Sequence, residues 1–188
     1  MIDPHDARAV LAWRRLERDR LIAVRLALDA DERAARARAI AAELDRRIPP
    51  GSGAIVSAYW PIRGEPDLRP WMHAACERGL RIALPVAVAL RQPLQFREWR
   101  PGAALARGLW NIPYPADGAE VTPDVLLAPL VGFDAAHYRL GYGGGFFDRT
   151  LARLGAAARV FGVGYREAAI PTIYPQPHDI AMHAIVAA

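Results

Sequence analysis

The sequence contains no lysine, and arginine supplies all 24 of its basic residues, against 20 acidic ones, for a formal net charge of +4. The complete absence of lysine is typical of a coding bias toward arginine, so part of the basic character is compositional. A basic surface attracts both nucleic acids and small polyanions such as nucleotides. The charge alone therefore does not decide between these two kinds of partner.

Cysteine is almost as scarce, since Cys76 is the only one. A single cysteine excludes an internal disulfide and a cysteine-cluster zinc site, and it fits a reducing compartment. No apolar run reaches the ~20 residues that a membrane helix needs. Acidic residues precede the first arginine at the amino terminus, unlike a secretory signal or a transit peptide. We therefore expect a cytoplasmic protein with no membrane span.

The length and hydrophobicity are those of a globular protein, with 188 residues of which 53% are hydrophobic. A chain of this length fits one domain and buries a substantial core. No repeat or linker interrupts the sequence, so residues 1–188 are predicted to form a single domain.

Hydrophobic periodicity predicts helices that alternate with buried strands. Asp29 followed by Glu32 resembles a capping box between two successive helices. Pro66 suits the first turn of a third helix. Pro85 makes the strand predicted over residues 81–88 less favourable, because proline offers no N–H to a neighbouring strand. The predicted helices cover residues 6–28, 29–48, 66–78 and a segment from 147, and the predicted strands cover residues 54–60, 81–88, 94–99, 125–133, 159–165 and 184–187. This alternation indicates an α/β, three-layer sandwich with a mostly parallel, Rossmann-like central sheet, whose ligands bind beyond the carboxyl ends of the strands.

A glycine-rich loop, "RLGYGGGFFDR" (residues 139–149), lies between a predicted strand and a predicted helix. Glycines allow close approach of the backbone, and the free N–H groups and dipole of a helix start favour an anion. The loop lacks the Gly-Lys-Ser/Thr ending of a Walker A motif, and Phe146 stands where a dinucleotide fingerprint has its third glycine. These residues alone leave a phosphate-binding loop and a flexible turn as alternatives.

Charged residues at both ends of the loop favour the phosphate-binding interpretation. Arg139 and Arg149 carry permanent charge and forked donors suited to phosphate oxygens. Asp148 has two interpretations, a negative charge at a helix start or a ligand of a magnesium ion that bridges phosphates.

The segment "PLVGFDAAHYRLGYGGGFFDRTLARL" (residues 129–154) resembles the signature of the 5-formyltetrahydrofolate cyclo-ligase family. Five further segments resemble that family in the right order: residues 14–33, 58–70, 83–86, 108–115 and 175–186. The resemblance covers most of the chain and implies a fold of the cyclo-ligase type. Several matches in order are far more specific than a glycine loop alone.

The resemblance implies ATP- and Mg²⁺-dependent conversion of 5-formyltetrahydrofolate to 5,10-methenyltetrahydrofolate, with release of ADP and phosphate. Phosphorylation of the formyl oxygen makes a leaving group, and N10 of the same folate then closes the ring. The partners expected are these small molecules, with neither nucleic acid nor membrane, and the expected state is a monomer. The protein mainly positions ATP and folate and neutralises charge.

The same resemblance implies the positions that bind ATP. They lie on the first helix and along the loop, at Arg14, Arg18, Arg139, Leu140, Gly141, Tyr142, Gly143, Gly144, Gly145, Phe146 and Phe147. Among them, Arg139 and Tyr142 are expected to take part in catalysis. Without the resemblance, a basic stripe on the first helix would be interpreted as a solvated face.

The resemblance also implies folate and metal positions. Folate is expected to contact Trp60, Glu65, Trp110, Tyr142 and Phe147, and magnesium is expected at Asp148 and Asp179. A carboxylate suits the adjacent N–H groups of a pterin, and aromatic faces stack on flat rings. The alternatives are a helix cap for Glu65, core packing for the tryptophans and an ordinary turn for Asp179.

Three positions depart from the family pattern. Phe147 stands where tyrosine is usual, Arg14 where most members have lysine, and His183 where an acidic residue is common. These differences motivate a rival hypothesis, a nucleotide- or folate-binding relative with little or no turnover. A nucleic-acid-binding protein is a third hypothesis, but acids interleave with the arginines of the first helices and weaken it.

Overall fold

The computed structural model describes residues 2–51 and 53–188, and it begins with two long helices, α1 (Ala7–Ala27) and α2 (Ala30–Arg47). The Asp6 side chain caps α1 by accepting from the N–H groups of Arg8 and Ala9. The Asp29 side chain caps α2 by accepting from the N–H of Glu32 at 2.7 Å. The two predicted helices and the predicted cap are therefore confirmed.

The remaining elements are mostly strands. In chain order they are β1 (Ile55–Ser57), α3 (Arg69–Glu77), β2 (Arg81–Val86), β3 (Gln95–Trp99), β4 (Leu105–Arg107), β5 (Pro113–Pro115), β6 (Val125–Pro129), β7 (Gly132–Phe133), β8 (Arg139–Leu140), α4 (Phe146–Leu154), β9 (Arg159–Gly164) and β10 (Ala184–Ala187). Short 3₁₀ helices cover Leu109–Asn111, Gly155–Ala157 and Arg166–Ala168. The central sheet has six strands in the order β10–β9–β6–β1–β2–β3.

Every neighbouring pair in this sheet is parallel except β2 and β3, which are antiparallel at one edge. The predicted mostly parallel α/β sheet is thus confirmed. Pro85 belongs to β2 and stands opposite Phe96 of β3, beyond the three residues of β2 that pair with β1. A proline is tolerated there because it lies outside the ladder between β1 and β2.

The sheet is buried on both faces. Along β6, Val125 and Leu127 join one hydrophobic cluster, whereas Leu126 and Ala128 join another. Successive side chains of a strand point to opposite faces, so the two clusters lie on opposite sides of the sheet. The first cluster contains core residues of α2 and α3, and the second contains Leu151 of α4. Helices therefore cover both faces, as in the predicted three-layer sandwich.

Several predicted boundaries were wrong. The strand predicted over residues 125–133 is divided into β6, which ends at Pro129, and β7, which belongs to a separate hairpin. The third helix begins at Arg69 and not at Pro66, and its first turn contains Pro70, the proline that suits this position. The first strand ends at Ser57, three residues before Trp60. The N–H of Ala58 still donates to the Ala83 carbonyl at 3.0 Å, but Pro61 soon follows and offers no N–H to extend the ladder.

Two antiparallel hairpins were not predicted from the sequence. One pairs β4 with β5, and its turn contains the 3₁₀ segment Leu109–Asn111. The other pairs β7 with β8 and leads directly into the glycine-rich loop. Both lie next to the candidate site described below.

In the described part of the chain, no helix combines the length and the hydrophobicity that crossing a membrane requires.

Candidate functional site

A cavity of about 650 Å³ opens beyond the carboxyl ends of β1, β2 and β6. This is the edge of the sheet where the sequence predicts ligand binding. The cavity is lined by every residue expected to bind ATP, folate or magnesium, namely Arg14, Arg18, Trp60, Glu65, Trp110, Asp148, Asp179 and all nine residues from Arg139 to Phe147. The fold therefore brings together positions that are up to 165 residues apart in the chain.

The glycine-rich loop forms one wall of the cavity. Gly143 and Gly145 have φ values of 91° and 63°, which favour glycine. Gly145 is the N-cap of α4, and no side chain satisfies the N–H groups at the start of that helix. Uncapped N–H groups and the positive end of the helix dipole attract an anion. The loop geometry thus fits the phosphate-binding interpretation better than a flexible turn.

Two arginines support the loop from beneath. Arg18 Nε donates to the Gly141 carbonyl at 2.6 Å, and Arg139 Nη1 donates to the Pro129 carbonyl at 3.1 Å. A Cβ on Gly141 would lie 2.4 Å from Arg139 Nη1, so glycine is required for this close approach. The loop and the two guanidinium groups are therefore packed as one unit.

These guanidinium groups carry positive charge that the protein does not fully neutralise. Burial, together with Arg14 and Arg139, lowers the pKa of Arg18, and burial also lowers the pKa of Arg139. Arg139 Nη2 is 3.8 Å from Asp148 Oδ2, and its buried Nε has no hydrogen-bond partner in the described part of the chain. An anion bound against the loop would reduce the repulsion between the guanidinium groups and could accept a hydrogen bond from the unpaired Nε.

Asp148 and Phe147 lie beside Arg139 in the first turn of α4. The Arg139 guanidinium lies 4.8 Å from the centroid of the Phe147 ring, a cation–π contact. The Asp148 side chain is 17% exposed, so its carboxylate remains accessible from the cavity.

Glu65 is a buried carboxyl group in the wall of the cavity. Its side chain accepts hydrogen bonds from the Ile62 N–H at 2.9 Å and from the Tyr142 hydroxyl at 3.0 Å. Burial raises the pKa of Glu65 to about 7, against the opposing effects of the Ile62 amide and of Arg25. The alternative role as a cap of α3 is wrong, because that helix begins four residues later.

Aromatic side chains flank the space between Glu65 and the loop. Trp110 is 62% exposed, which excludes core packing, and its φ of 55° is unusual for a bulky residue. Its ring meets that of Phe146 edge-on, with centroids 5.3 Å apart. Trp60 also lines the cavity, packs partly against the core and has the Arg69 guanidinium 5.4 Å from its ring. Flat surfaces are thus available to a flat ligand.

Two predicted site residues pair with each other. Arg14 contacts both carboxylate oxygens of Asp179, at 3.3 and 2.5 Å, and also donates to the carbonyls of Ile173 and Tyr174 at 2.9 Å each. Asp179 Oδ2 further accepts from the Gln176 N–H at 2.7 Å. The pair holds α1 against the segment that precedes β10.

No cluster of three or more histidine, cysteine or acidic side chains suited to a metal ion occurs in residues 2–51 and 53–188. A metal at this site would therefore need ligands from a bound molecule in addition to the protein. Magnesium is commonly bound in this way, through one or two carboxylates and the phosphates of a substrate.

Arg25 is a site residue whose role the sequence analysis missed. It is 7% exposed and donates to the Tyr142 hydroxyl at 2.6 Å, in contact with the cavity wall. Arg14, Arg18 and Arg25 are spaced by four and seven residues, which puts all three on one face of α1. That spacing is the signal that could have identified Arg25.

Comparison with known proteins supports the resemblance described above. The family model described as the 5-formyltetrahydrofolate cyclo-ligase family matches residues 10–188. The 5-formyltetrahydrofolate cyclo-ligase of Mycolicibacterium smegmatis is 38% identical over 139 residues, which are 70% of this chain and 72% of the relative. The enzyme of the same name from Escherichia coli is 37% identical over 102 residues, covering 51% of this chain and 56% of that protein.

Two solved structures share the fold. A 5,10-methenyltetrahydrofolate synthetase from Aquifex aeolicus superposes with a TM-score of 0.80 at 25% identity, covering 93% of this chain and 89% of that one. A 5,10-methenyltetrahydrofolate synthetase from Mycoplasma pneumoniae superposes with a TM-score of 0.75 at 21% identity, covering 92% and 97%.

Proposed function

Because this chain belongs to the 5-formyltetrahydrofolate cyclo-ligase family, we propose that it converts 5-formyltetrahydrofolate to 5,10-methenyltetrahydrofolate at the expense of ATP. The observation that carries the proposal is the single cavity that joins an anion-binding loop to a buried carboxyl group between aromatic side chains. ATP and folate must meet in one space for a phosphoryl group to pass between them, and this cavity provides it.

The Glu65 end of the cavity suits the pterin ring of folate. A carboxylate has about four acceptor positions, and the Ile62 N–H and the Tyr142 hydroxyl occupy one on each oxygen. One position on each oxygen is left for two adjacent N–H donors of a pterin. Trp60 and Trp110 then provide aromatic surfaces toward the flat ring and its substituent.

The loop end suits the phosphates of ATP. The N–H groups at the start of α4, with Arg18 and Arg139 beneath the loop, offer donors and positive charge on one side of the cavity. Leu140 to Phe147 form the wall that the phosphates would approach. This placement supports a phosphoryl-transfer role for Arg139, whose charge would balance that of the transferred group.

The chemistry divides into two balanced steps. In the first step the formyl oxygen attacks the γ-phosphorus of ATP, and ADP leaves. The lone pair of N5 forms a double bond to the formyl carbon, whose bond to oxygen becomes single. N10 then attacks the activated carbon, the carbon–oxygen bond breaks, phosphate leaves with the former formyl oxygen, and N10 loses its proton. The residues of the cavity hold the two substrates in line and stabilise negative charge, which is where most of the catalysis of such reactions lies.

Asp148 is the residue best placed to hold Mg²⁺. Its accessible carboxylate lies at the start of α4 beside the loop, where phosphate oxygens would complete the coordination. Bound magnesium would neutralise phosphate charge. Asp179 remains a second candidate, although Arg14 and the Gln176 N–H already engage its oxygens.

The proposal extends to the setting in which the enzyme works. Residues 1–188 would act as a single domain and a monomer in the cytoplasm, with ATP and folate as partners and with neither nucleic acid nor membrane. Arginine-rich composition does not require a nucleic acid, because the buried arginines Arg14, Arg25 and Arg139 contact protein groups at the cavity.

The test is to incubate the purified protein with 5-formyltetrahydrofolate and MgATP and to follow the methenyl chromophore and ADP. We expect methenyl product and ADP in equal amounts, and no product when ATP is omitted. Tight ATP binding without product would instead favour a binding protein that lacks turnover. A matched comparison is Glu65→Ala, which should raise the KM for folate far more than the KM for ATP, whereas equal effects would refute the pterin role.

A further inference from the structure

Three side chains from different parts of the chain form a hydrogen-bonded series at the cavity wall, in which Arg25 and Glu65 are buried and Tyr142 is 36% exposed. Arg25 Nη2 of α1 donates to the Tyr142 hydroxyl at 2.6 Å, and this hydroxyl is 3.0 Å from Glu65 Oε1. Arg25 and Glu65 are 7% and 5% exposed. The series connects α1, the glycine-rich loop and the segment that follows β1.

The donors and acceptors of the series follow from its chemistry when Glu65 is ionised. A guanidinium has only donors, so the Tyr142 hydroxyl must accept from Arg25. An ionised carboxylate has only acceptors, so Glu65 Oε1 accepts the hydrogen bond that the hydroxyl donates. Because the Ile62 N–H donates to Oε2, both oxygens of Glu65 are held as acceptors.

Arg25 is itself held in place by the protein. Its Nε donates to the Arg63 carbonyl at 2.9 Å, and its Nη1 donates to the Leu130 carbonyl at 3.3 Å. The guanidinium groups of Arg25 and Arg63 lie 5.8 and 5.7 Å from the centroid of the Tyr142 ring. The ring and its hydroxyl are thus constrained together.

We propose that Arg25 is a positioning residue for folate, which acts through the Tyr142 hydroxyl to keep Glu65 an ionised acceptor. The inference rests on the proposed function and assigns a role to a residue that would not itself touch the substrate. Without the positive charge of Arg25, the neutral form of Glu65 is favoured, and a neutral carboxyl that donates to the Tyr142 hydroxyl offers the pterin one acceptor position fewer.

Other charged or titratable groups also influence Glu65. Burial raises the pKa of Glu65 to about 7, whereas Arg25, the Tyr142 hydroxyl and Arg139 lower it. Burial and the Glu65 charge raise the pKa of Tyr142 well above its usual value, so its hydroxyl stays protonated as the series requires. The groups that face Glu65 are Arg25 on α1, Tyr59 after β1, Arg139 on β8, Tyr142 in the loop and Tyr165 after β9.

The test compares Arg25→Met, Tyr142→Phe and the double variant with the unmodified protein between pH 6 and pH 8.5. Tyr142→Phe removes only the hydroxyl from a partly exposed side chain, so it keeps the test valid if Arg25→Met fails to fold. Arg25→Lys preserves the positive charge but lacks the forked donors of the guanidinium group. The matched controls are Arg15→Met, an exposed arginine of the same helix, and Tyr138→Phe, whose hydroxyl has no hydrogen bond in the described part of the chain.

At pH 7 each single variant should raise the KM for folate by about tenfold, the effect of losing a hydrogen bond to a charged group. The KM for ATP should change less than about twofold. The increase in the folate KM should become smaller toward pH 8.5, because Glu65 then ionises even in the variants. The double variant should resemble the more affected single variant, because both changes interrupt one series. Arg25→Lys should lie between Arg25→Met and the unmodified protein.

Several results would overturn the inference: a folate KM that Tyr142→Phe leaves unchanged, a defect that persists at pH 8.5, or equal rises in the KM values for both substrates. Calorimetric titration with 5-formyltetrahydrofolate gives the same comparison without turnover. If the unmodified protein binds folate but forms no product, the proposed function fails while the positioning role is still tested by the dissociation constants. If it does not bind folate at all, both fail.

Discussion

Glu65 is almost completely buried, and this burial opposes the charge that its proposed role as an ionised acceptor requires. Burial raises its pKa to about 7, compared with an ordinary value of 4.5. Hydrogen bonds from Ile62 and Tyr142 favour the ionised form but do not fully offset the loss of water. The group therefore titrates close to neutral pH, where small changes in its surroundings alter its charge.

The raised pKa of Glu65 predicts a specific pH dependence of stability. The folded state holds the proton that the unfolded state releases between pH 4.5 and pH 7, so stability is highest below that range and falls as the pH rises through it. The loss is about 3 kcal/mol. Glu65→Gln is neutral throughout and should escape this loss, so urea unfolding should show it gaining stability relative to the unmodified protein as the pH rises.

The control for this prediction is Glu77→Gln, which changes an exposed glutamate and should follow the unmodified protein at every pH. Parallel stability profiles for the unmodified protein and Glu65→Gln would contradict a raised pKa at this position.

Single residues differed in how well the sequence predicted them. Nothing in the local sequence around Glu65 indicates that its side chain is buried. Its assignment to folate therefore depended on the family resemblance. Arg25 has nothing in its local sequence to mark it as buried, yet it is buried because Tyr142, Arg63 and Leu130 supply acceptors from distant parts of the chain. Acceptors brought by tertiary folding cannot be recognised from local sequence.

The glycine-rich loop and α4 act as one element, because the loop supplies the N-cap of the helix. Gly145 lies in the left-handed region with φ 63° and ψ 15°. An added Cβ would lie 2.7 Å from Nη1 of Arg149, the side chain that donates to the Gly144 carbonyl at 2.5 Å. A substitution here must therefore move the loop, the arginine or both.

Gly145→Ala should raise the KM for ATP by about five- to thirtyfold, since a left-handed alanine costs about 1–2 kcal/mol and the loop would shift to relieve it. The dissociation constant for folate should be nearly unchanged. Steady-state kinetics and calorimetry provide the two measurements.

Gly155→Ala is the matched control at the other end of α4. Gly155 also has a positive φ, 57°, but a Cβ there meets no atom within 4 Å. This variant should lower the melting temperature without changing the KM for ATP. If both variants raise the KM for ATP equally, the effect comes from general destabilisation of α4 and not from the loop.

At the level of elements, the long helices and buried strands followed from periodicity and capping residues. The short strands did not, because β4, β5, β7 and β8 have only two or three residues each. Their pairing depends on partners and turns, and so few residues carry no usable pattern. These hairpins nevertheless place Trp110 and the start of the glycine-rich loop.

For the molecule as a whole, the parallel sheet explains why distant segments form one cavity. The carboxyl ends of β1, β2 and β6 meet at one edge, and the chain leaves β1 toward Trp60 and Glu65 there. Helix α1 closes the same edge, since its buried Arg14 and Arg25 contact Asp179 and Tyr142, and its half-buried Arg18 contacts Gly141. A single helix thus connects the loop, the folate end and the segment before β10.

The sequence predicted the sheet edge, and the residues that the family resemblance assigned to ligands all line one cavity there. It could not predict that Arg14 and Asp179 pair with each other, because the two are far apart in the chain. Their roles toward ATP and magnesium remain predictions, as does the part played by Phe147 in place of tyrosine.

The proposed function requires that ATP and folate react in this cavity through the formyl oxygen. This reaction can be followed with 5-formyltetrahydrofolate labelled with ¹⁸O in the formyl group, MgATP and the purified protein, by mass analysis of the phosphate released. We expect one labelled oxygen in each inorganic phosphate formed together with methenyl product. Unlabelled phosphate, with the label recovered in water, would contradict transfer of the phosphoryl group to the formyl oxygen.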